Sequence, residues 1–355
     1  MNKDFHPSNG GQNGRTAAKS VVIHIGPPKS GTTTIQNALE CLSGDSGVVR
    51  YATSGRFLEG GRWAFRDGRL GNVPGTGPCG NHAAIFYALE GMLISPDSET
   101  LLRQLGDEVG SATERLVVLS SEGFWFLRED AIRRLMDLLG DCRVTVVAYL
   151  RDPLRRFPSM YCQHLKQGTF GGSFTEFLRE NDERLFEEYA IIRRWQGVFG
   201  QESVECRAFD RVCRSPGLVE DFFQLLKKLE PGETFVLPRG ETEHTNIRQN
   251  DSFLRLLRAM NAVDLRFQSR QLARVCAYVR RIALGSRKCR ALLNSLPLGG
   301  KPVILDLERR NFERFIESRF NELSPEAQAF YRDVFGNAFS LGKGAPRETS
   351  EAEST

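Results

Sequence analysis

Two short segments hold residues whose types and spacing suit the handling of anions. The first, 21–34, reads VVIHIGPPKSGTTT: a β-branched run, a Gly/Pro turn and three threonines. A turn of this kind between a strand and a helix presents backbone N–H groups and the positive end of a helix dipole to an anion. Lys29 adds a charge, and the hydroxyls of Ser30, Thr32, Thr33 and Thr34 add donors around Gly31. Gly26 and Gly31 have the separation found in the G-x-x-x-x-G-K-[ST] nucleotide loop, but Thr32 stands where that loop carries its lysine. A kinase or NTPase built on this turn would lack its phosphate-bridging cation at the usual place.

The second segment, 151–161, reads RDPLRRFPSMY and follows the apolar run VTVVAYL. In open parallel sheets, ligands lie beyond the carboxyl ends of the strands, which is where Arg151 falls. Pro153 suits the first turn of a helix. Ser159 then lies about two turns along it, so a guanidinium and a hydroxyl are expected to share one oxyanion. Pro158 removes a helix N–H next to that serine and is expected to kink the approach.

Lysine upstream of the second glycine in PKSGTT resembles the 5′-phosphosulfate loop of sulfotransferases that use 3′-phosphoadenosine 5′-phosphosulfate. Arg151, Asp152, Pro153, Ser159 and Tyr161 are similar to that family's second motif, R-[DN]-P-x-x-x-x-x-S-x-Y, whose Arg and Ser hold the donor's 3′-phosphate. Segments 119–122 (LSSE), 161–166 (YCQHLK) and 195–200 (WQGVFG) resemble bacterial members acting on glycans or related acceptors, so the resemblance covers about residues 20–260. It implies an α/β P-loop-type three-layer fold with a central parallel sheet. It further implies 3′-phosphoadenosine 5′-phosphosulfate as co-substrate without a metal, and a carbohydrate or glycolipid acceptor. The family's short third cofactor motif, R-K-G-x-x-G, is absent, so the adenosine end must be held in another way.

Sulfuryl transfer needs a cation at the bridging oxygen, for which Lys29 is the choice, and a general base for the acceptor hydroxyl. Glu122 directly follows the strand-like run 115–120 and should emerge at the same sheet edge as Lys29 and Arg151. His82, where a glycine-rich stretch meets the helical pattern NHAAIFYAL, is the rival, because imidazole titrates near neutrality. His24 reads as a core histidine and His164 as a surface one.

The elements that must position these groups follow from periodicity. Strands are expected at 20–25, 115–120, 144–150 and 204–209, and helices at 32–42, 81–94, 129–139, 251–261, 266–284 and 305–320. Alternation of the two implies βαβ units, with a helical C-terminal third. Residues 51–80 carry eight glycines and little periodicity. With Tyr51, Arg56, Arg62, Trp63 and Arg66, this loop is suited to wall an acceptor site. One sulfotransferase domain is expected over 20–340, between polar, disordered tails at 1–19 and 341–355.

Composition sets the outer limits. The chain has 355 residues, 40% of them hydrophobic, and its net charge of +4 comes from 39 arginines and nine lysines set against 44 acids. Arginine favours planar, bidentate anion contacts. Eight cysteines show neither C-x-x-C nor zinc spacing, which excludes a structural zinc framework and fits a reducing cytoplasm. No apolar run is long enough to span a bilayer, and the first 19 residues lack the apolar region of a secretory signal. Residues 255–290 carry ten basic side chains against Asp264 alone, a surface suited to an anionic glycan, lipopolysaccharide or membrane face. Sparse aromatic residues there argue against nucleic acid as the partner. Two other readings stand beside the sulfotransferase: a P-loop nucleotide kinase or NTPase, and a non-catalytic protein binding anionic glycan or nucleic acid.

Overall fold

The structure is a computed structural model. It describes residues 19–42, 47–56, 63–65, 70–71, 81–95, 97–231, 251–267, 275–279 and 303–336. Five parallel strands form the central sheet: β1 (Ser20–Ile25), β2 (Val49–Tyr51), β6 (Leu116–Ser121), β7 (Arg143–Leu150) and β8 (Val204–Ala208), in the order β2-β6-β1-β7-β8. The expected α/β class with a parallel sheet and a helical C-terminal third holds.

Burial on both faces is why the strands read as apolar runs rather than as alternating ones. Val21, Ile23 and Ile25 of β1 face one layer, packed with α2 (Ala83–Leu89), α3 (Ser98–Ser111), α4 (Glu129–Leu139) and α7 (Glu187–Phe199). Val22 faces the other, packed with α1 (Thr32–Leu42) and α9 (Leu218–Leu229). A third apolar cluster gathers Phe157, Phe174, Leu254 and Phe312 from α5 (Pro153–Gln167), α6 (Phe174–Glu180), α10 (Asp251–Phe267) and α11 (Asp306–Asn321). A last helix, α12 (Pro325–Phe335), packs Tyr331 against Phe186 and Phe320.

Several expected boundaries move. The pattern at 81–94 is only partly helical, because the chain leaves α2 to form β5 (Leu93–Ser95). The stretch 51–80, read as one long loop, begins on the last residue of β2 and contains two strands of a small antiparallel sheet, β3 (Trp63–Phe65) and β4 (Leu70–Gly71), in the order β4-β3-β5. Helix α10 runs on to Phe267, and of the helix expected at 266–284 only 275–279 is described beyond it. Pro158 lies inside α5, which is continuous from Pro153 to Gln167. The tails at 1–18 and 341–355, and most of the basic stretch beyond 267, lie outside the described residues. Among those described, no helix is long and apolar enough to cross a membrane.

Candidate functional site

Strand register fixes where the chemistry-bearing residues emerge. Ile25 lies opposite Ser121 on β6 and Ala148 on β7, so Gly26 and Glu122 each stand one residue past the same line at the carboxyl edge. Strand β7 runs two residues further, and Leu150 pairs with Ala208 of β8, which brings Arg151 level with Phe209. Neighbouring strands lie about 4.8 Å apart, so three strand ends deliver Lys29, Glu122 and Arg151 to one cleft.

The turn 26–31 is shaped by close backbone approach. A Cβ on Gly26 would meet Ser30 Oγ at 2.8 Å and Thr32 Oγ1 at 3.2 Å. Gly31 has φ +76°, and a side chain there would strike Leu218 at 2.3 Å. Lys29 also adopts a left-handed φ of 74°, rare for a residue with a Cβ and frequent at functional turns. Ser30 is buried and donates its hydroxyl to Pro27 O at 2.8 Å, locking the turn. The first amides of α1 at Thr32 and Thr33 have no partner within the helix and face outward as donors. Thr33 is exposed and Thr34 half-buried, whereas the Thr32 hydroxyl is turned inward, with no hydrogen-bond partner.

Arg151 is tied to this turn directly. Its Nη1 donates to Lys29 O at 3.2 Å, its Nε lies 3.7 Å from Asp210 Oδ1, and its guanidinium sits 5.4 Å from the Phe209 ring centre. Asp152 caps α5 by accepting from Leu154 N at 2.8 Å. The same Asp210 carboxylate lies 3.7 Å from Arg155 and accepts from Asp152 N at 3.3 Å. Asp210 and Phe209 escaped the sequence reading. Their signal was available, since both directly follow a strand and therefore fall on the ligand-bearing edge. Ser159 is half-buried on α5.

Lys29 and Glu122 face each other electrostatically without an ion pair of 4.0 Å or less among the described residues. Burial lowers the Lys29 ammonium below the ordinary lysine range; Glu122 opposes that, and Lys166 and then Arg151 add to it. Burial likewise raises the Glu122 carboxyl, with Lys29 opposing. The site thus holds a carboxylate made more basic and an ammonium made more acidic by burial, the direction that suits a general base.

His82 sits elsewhere. It is fully buried; Nδ1 accepts from Ser120 N at 3.0 Å, and Nε2 lies 3.0 Å from Ala52 O, placed to donate. The ring joins the ends of β2 and β6 to α2, and burial brings its pKa down to about 4. His24 is also fully buried, with Nδ1 2.8 Å from Ser120 Oγ and its pKa lowered to about 3 by burial. Arg56, expected to line an acceptor wall, is instead buried over the Tyr51 ring at 4.0 Å and paired with Glu40. Arg62 and Arg66 lie outside the described residues. Among those described, no cluster of His, Cys, Asp and Glu could hold a metal ion.

No family model and no curated protein matches the sequence. Among solved structures, the chain is similar to a sulfotransferase from Alicyclobacillus acidocaldarius, at 19% identity over 70% of this chain and 96% of that one, with a TM-score of 0.40. A likeness of that degree carries no weight for the chemistry, which rests on the residues themselves.

Proposed function

We propose that this chain is a sulfotransferase that moves the sulfuryl group of 3′-phosphoadenosine 5′-phosphosulfate to a hydroxyl of a carbohydrate, glycolipid or related acceptor. The observation that carries the reading is the junction of the two motifs: Arg151 bonds the backbone of Lys29 at 3.2 Å, with Glu122 at the end of the adjoining strand. In this reading the amides of Ser30, Gly31, Thr32, Thr33 and Thr34 and the threonine hydroxyls hold the 5′-phosphosulfate, while the Ser30 hydroxyl locks the turn, and Arg151 with Ser159 holds the 3′-phosphate. The buried Thr32 hydroxyl contributes from beneath the turn, and its neighbours from above.

The reaction then balances simply. The acceptor oxygen forms a bond to sulfur as the bond from sulfur to the bridging oxygen breaks. Its electron pair stays on the 5′-phosphate, where Lys29 stabilises the growing charge. Glu122 takes the acceptor's proton. Of the two bases expected, Glu122 is favoured over His82, because both His82 ring nitrogens are engaged by backbone within a sealed strut. No step requires a metal to bridge phosphates. Equilibrium dialysis with labelled 3′-phosphoadenosine 5′-phosphosulfate in EDTA tests the assignment. Retention of the donor, undisplaced by ATP with Mg²⁺, is expected; ATP binding that depends on Mg²⁺ would instead identify a nucleotide kinase or NTPase.

A further inference from the structure

Helix α5 carries a second lysine that neither motif accounts for. The core side of the helix is set by Phe157, Tyr161 and Leu165. At about 100° per residue, Ser159 and Lys166 lie within about 20° of each other on the opposite side, some 10 Å apart along the axis. A lysine on the side of a helix away from its core is normally solvated, yet Lys166 is half-buried, so something stands across from it. The turn 26–31 lies within electrostatic reach of it, since the Lys29 ammonium feels the Lys166 charge ahead of that of Arg151, and that of Glu122 ahead of both. The Lys29 carbonyl accepts from Arg151 at 3.2 Å, which ties the same turn to the residue that leads into α5.

Among the described residues, Lys166 has no carboxylate within 4.0 Å and makes no hydrogen bond; the same holds for the Lys29 ammonium. Burial lowers the Lys166 pKa, as it does that of Lys29. One turn earlier on the same helix, the Gln163 side-chain oxygen is buried without a hydrogen-bond partner. Two half-buried ammonium groups within electrostatic reach of each other cost free energy until an anion lies between them. The donor offers two anionic ends. Arg151 precedes α5 and Ser159 lies in its N-terminal half, with Lys166 about two turns beyond Ser159.

Resting on the reading of the chain as a sulfotransferase, we infer that Lys166 is a second cation for the transferring sulfuryl group. It meets the non-bridging oxygens from α5 while Lys29 meets the bridging oxygen from the turn. As the S–O bond to the 5′-phosphate breaks and the acceptor–sulfur bond forms, the three non-bridging oxygens keep their charge, and Lys166 holds them in line with Glu122 and the acceptor proton.

The donor and its product differ by just this group, which gives a direct test. Dissociation constants for 3′-phosphoadenosine 5′-phosphosulfate and adenosine 3′,5′-bisphosphate are measured on wild type, Lys166→Met and Lys166→Arg, with thermal melts as the folding check. Lys166→Gln serves if the Met variant melts early. Loss of the charge is expected to weaken the donor about 10- to 100-fold, as for a charge-assisted hydrogen bond, and the bisphosphate less than about twofold. Lys166→Arg is expected to recover most of the donor affinity. Equal loss of both ligands, or loss of neither, overturns the inference, the latter assigning Lys166 to the acceptor or to no ligand. Wild type that binds neither nucleotide overturns the sulfotransferase reading itself.

Discussion

At the scale of single residues, the account turns on Glu122 and Lys29, which must be charged in opposite senses for the proposed chemistry. Glu122 acts only when deprotonated, and burial has raised its pKa above the 4.5 of an ordinary glutamate, so activity is lost as pH falls through that raised value. Lys29 acts only when protonated and its pKa is lowered, so activity is lost as pH rises through it. A bell-shaped profile of kcat/KM is therefore expected, with an acid limb centred above 4.5. Glu122→Gln should abolish that limb and slow turnover roughly 10²- to 10⁴-fold, while leaving donor affinity nearly intact. An unchanged acid limb in Glu122→Gln would move the base elsewhere. These residues were legible because a strand followed by a Gly/Pro turn, or by Arg-Asp-Pro, prescribes its own local geometry. Asp210 carries the signal of a residue that follows a strand, but its partnership with Arg151 depends on which strand lies next to β7, and periodicity does not encode strand order.

At the scale of elements, His24 is the core histidine expected, and His82, expected as a rival base, is buried in the scaffold. His82 is a joint. It closes the ends of β2 and β6 onto α2 with both nitrogens, while Tyr51 and Phe124 pack at 5.2 and 6.5 Å. Its folded pKa lies near 4 against an ordinary 6.5. Its stabilising effect is therefore complete above about pH 6.5 and is lost as pH falls toward 4, where the unfolded chain binds a proton that the fold refuses. His82→Asn should cost about 2–4 kcal/mol in urea unfolding at pH 7.5, through buried groups left unpaired. That difference should shrink as the pH is lowered to about 4.5. A constant penalty across this range would contradict the assignment of a buried neutral imidazole. Sequence marked His82 correctly as the start of a helix, but not its burial, because the strand it seals against, β2, has only three residues and no visible pattern. Helix α5 shows the reverse case: Pro158 predicts a kink, yet the helix runs unbroken through it, with Phe157, Tyr161 and Leu165 packed in the cluster shared with α6, α10 and α11.

At the scale of the whole molecule, strand order explains why residues distant in sequence meet. With β1 between β6 and β7, the turns after all three strands open at one edge, and α5, which carries Ser159 and Lys166, starts from the end of β7. The parallel sheet and its two covering layers could be anticipated from apolar runs spaced by helical patterns. The small sheet β4-β3-β5 could not, because its strands have two or three residues each and β3 pairs with β5 across more than twenty residues of chain. The arginine excess divides likewise: Arg56 and Arg156 are buried in ion pairs inside the fold, whereas Arg151 remains at the edge. The central claim is that this edge binds a 3′-phosphorylated adenine nucleotide, and calorimetry tests it most directly. Wild type and Arg151→Ala are titrated with adenosine 3′,5′-bisphosphate and with adenosine 5′-monophosphate. The account predicts that wild type binds the bisphosphate more tightly than the monophosphate, and that Arg151→Ala weakens only the bisphosphate, by about 10- to 100-fold. Wild type that gives no heat with the bisphosphate, or that binds both nucleotides equally, would contradict it.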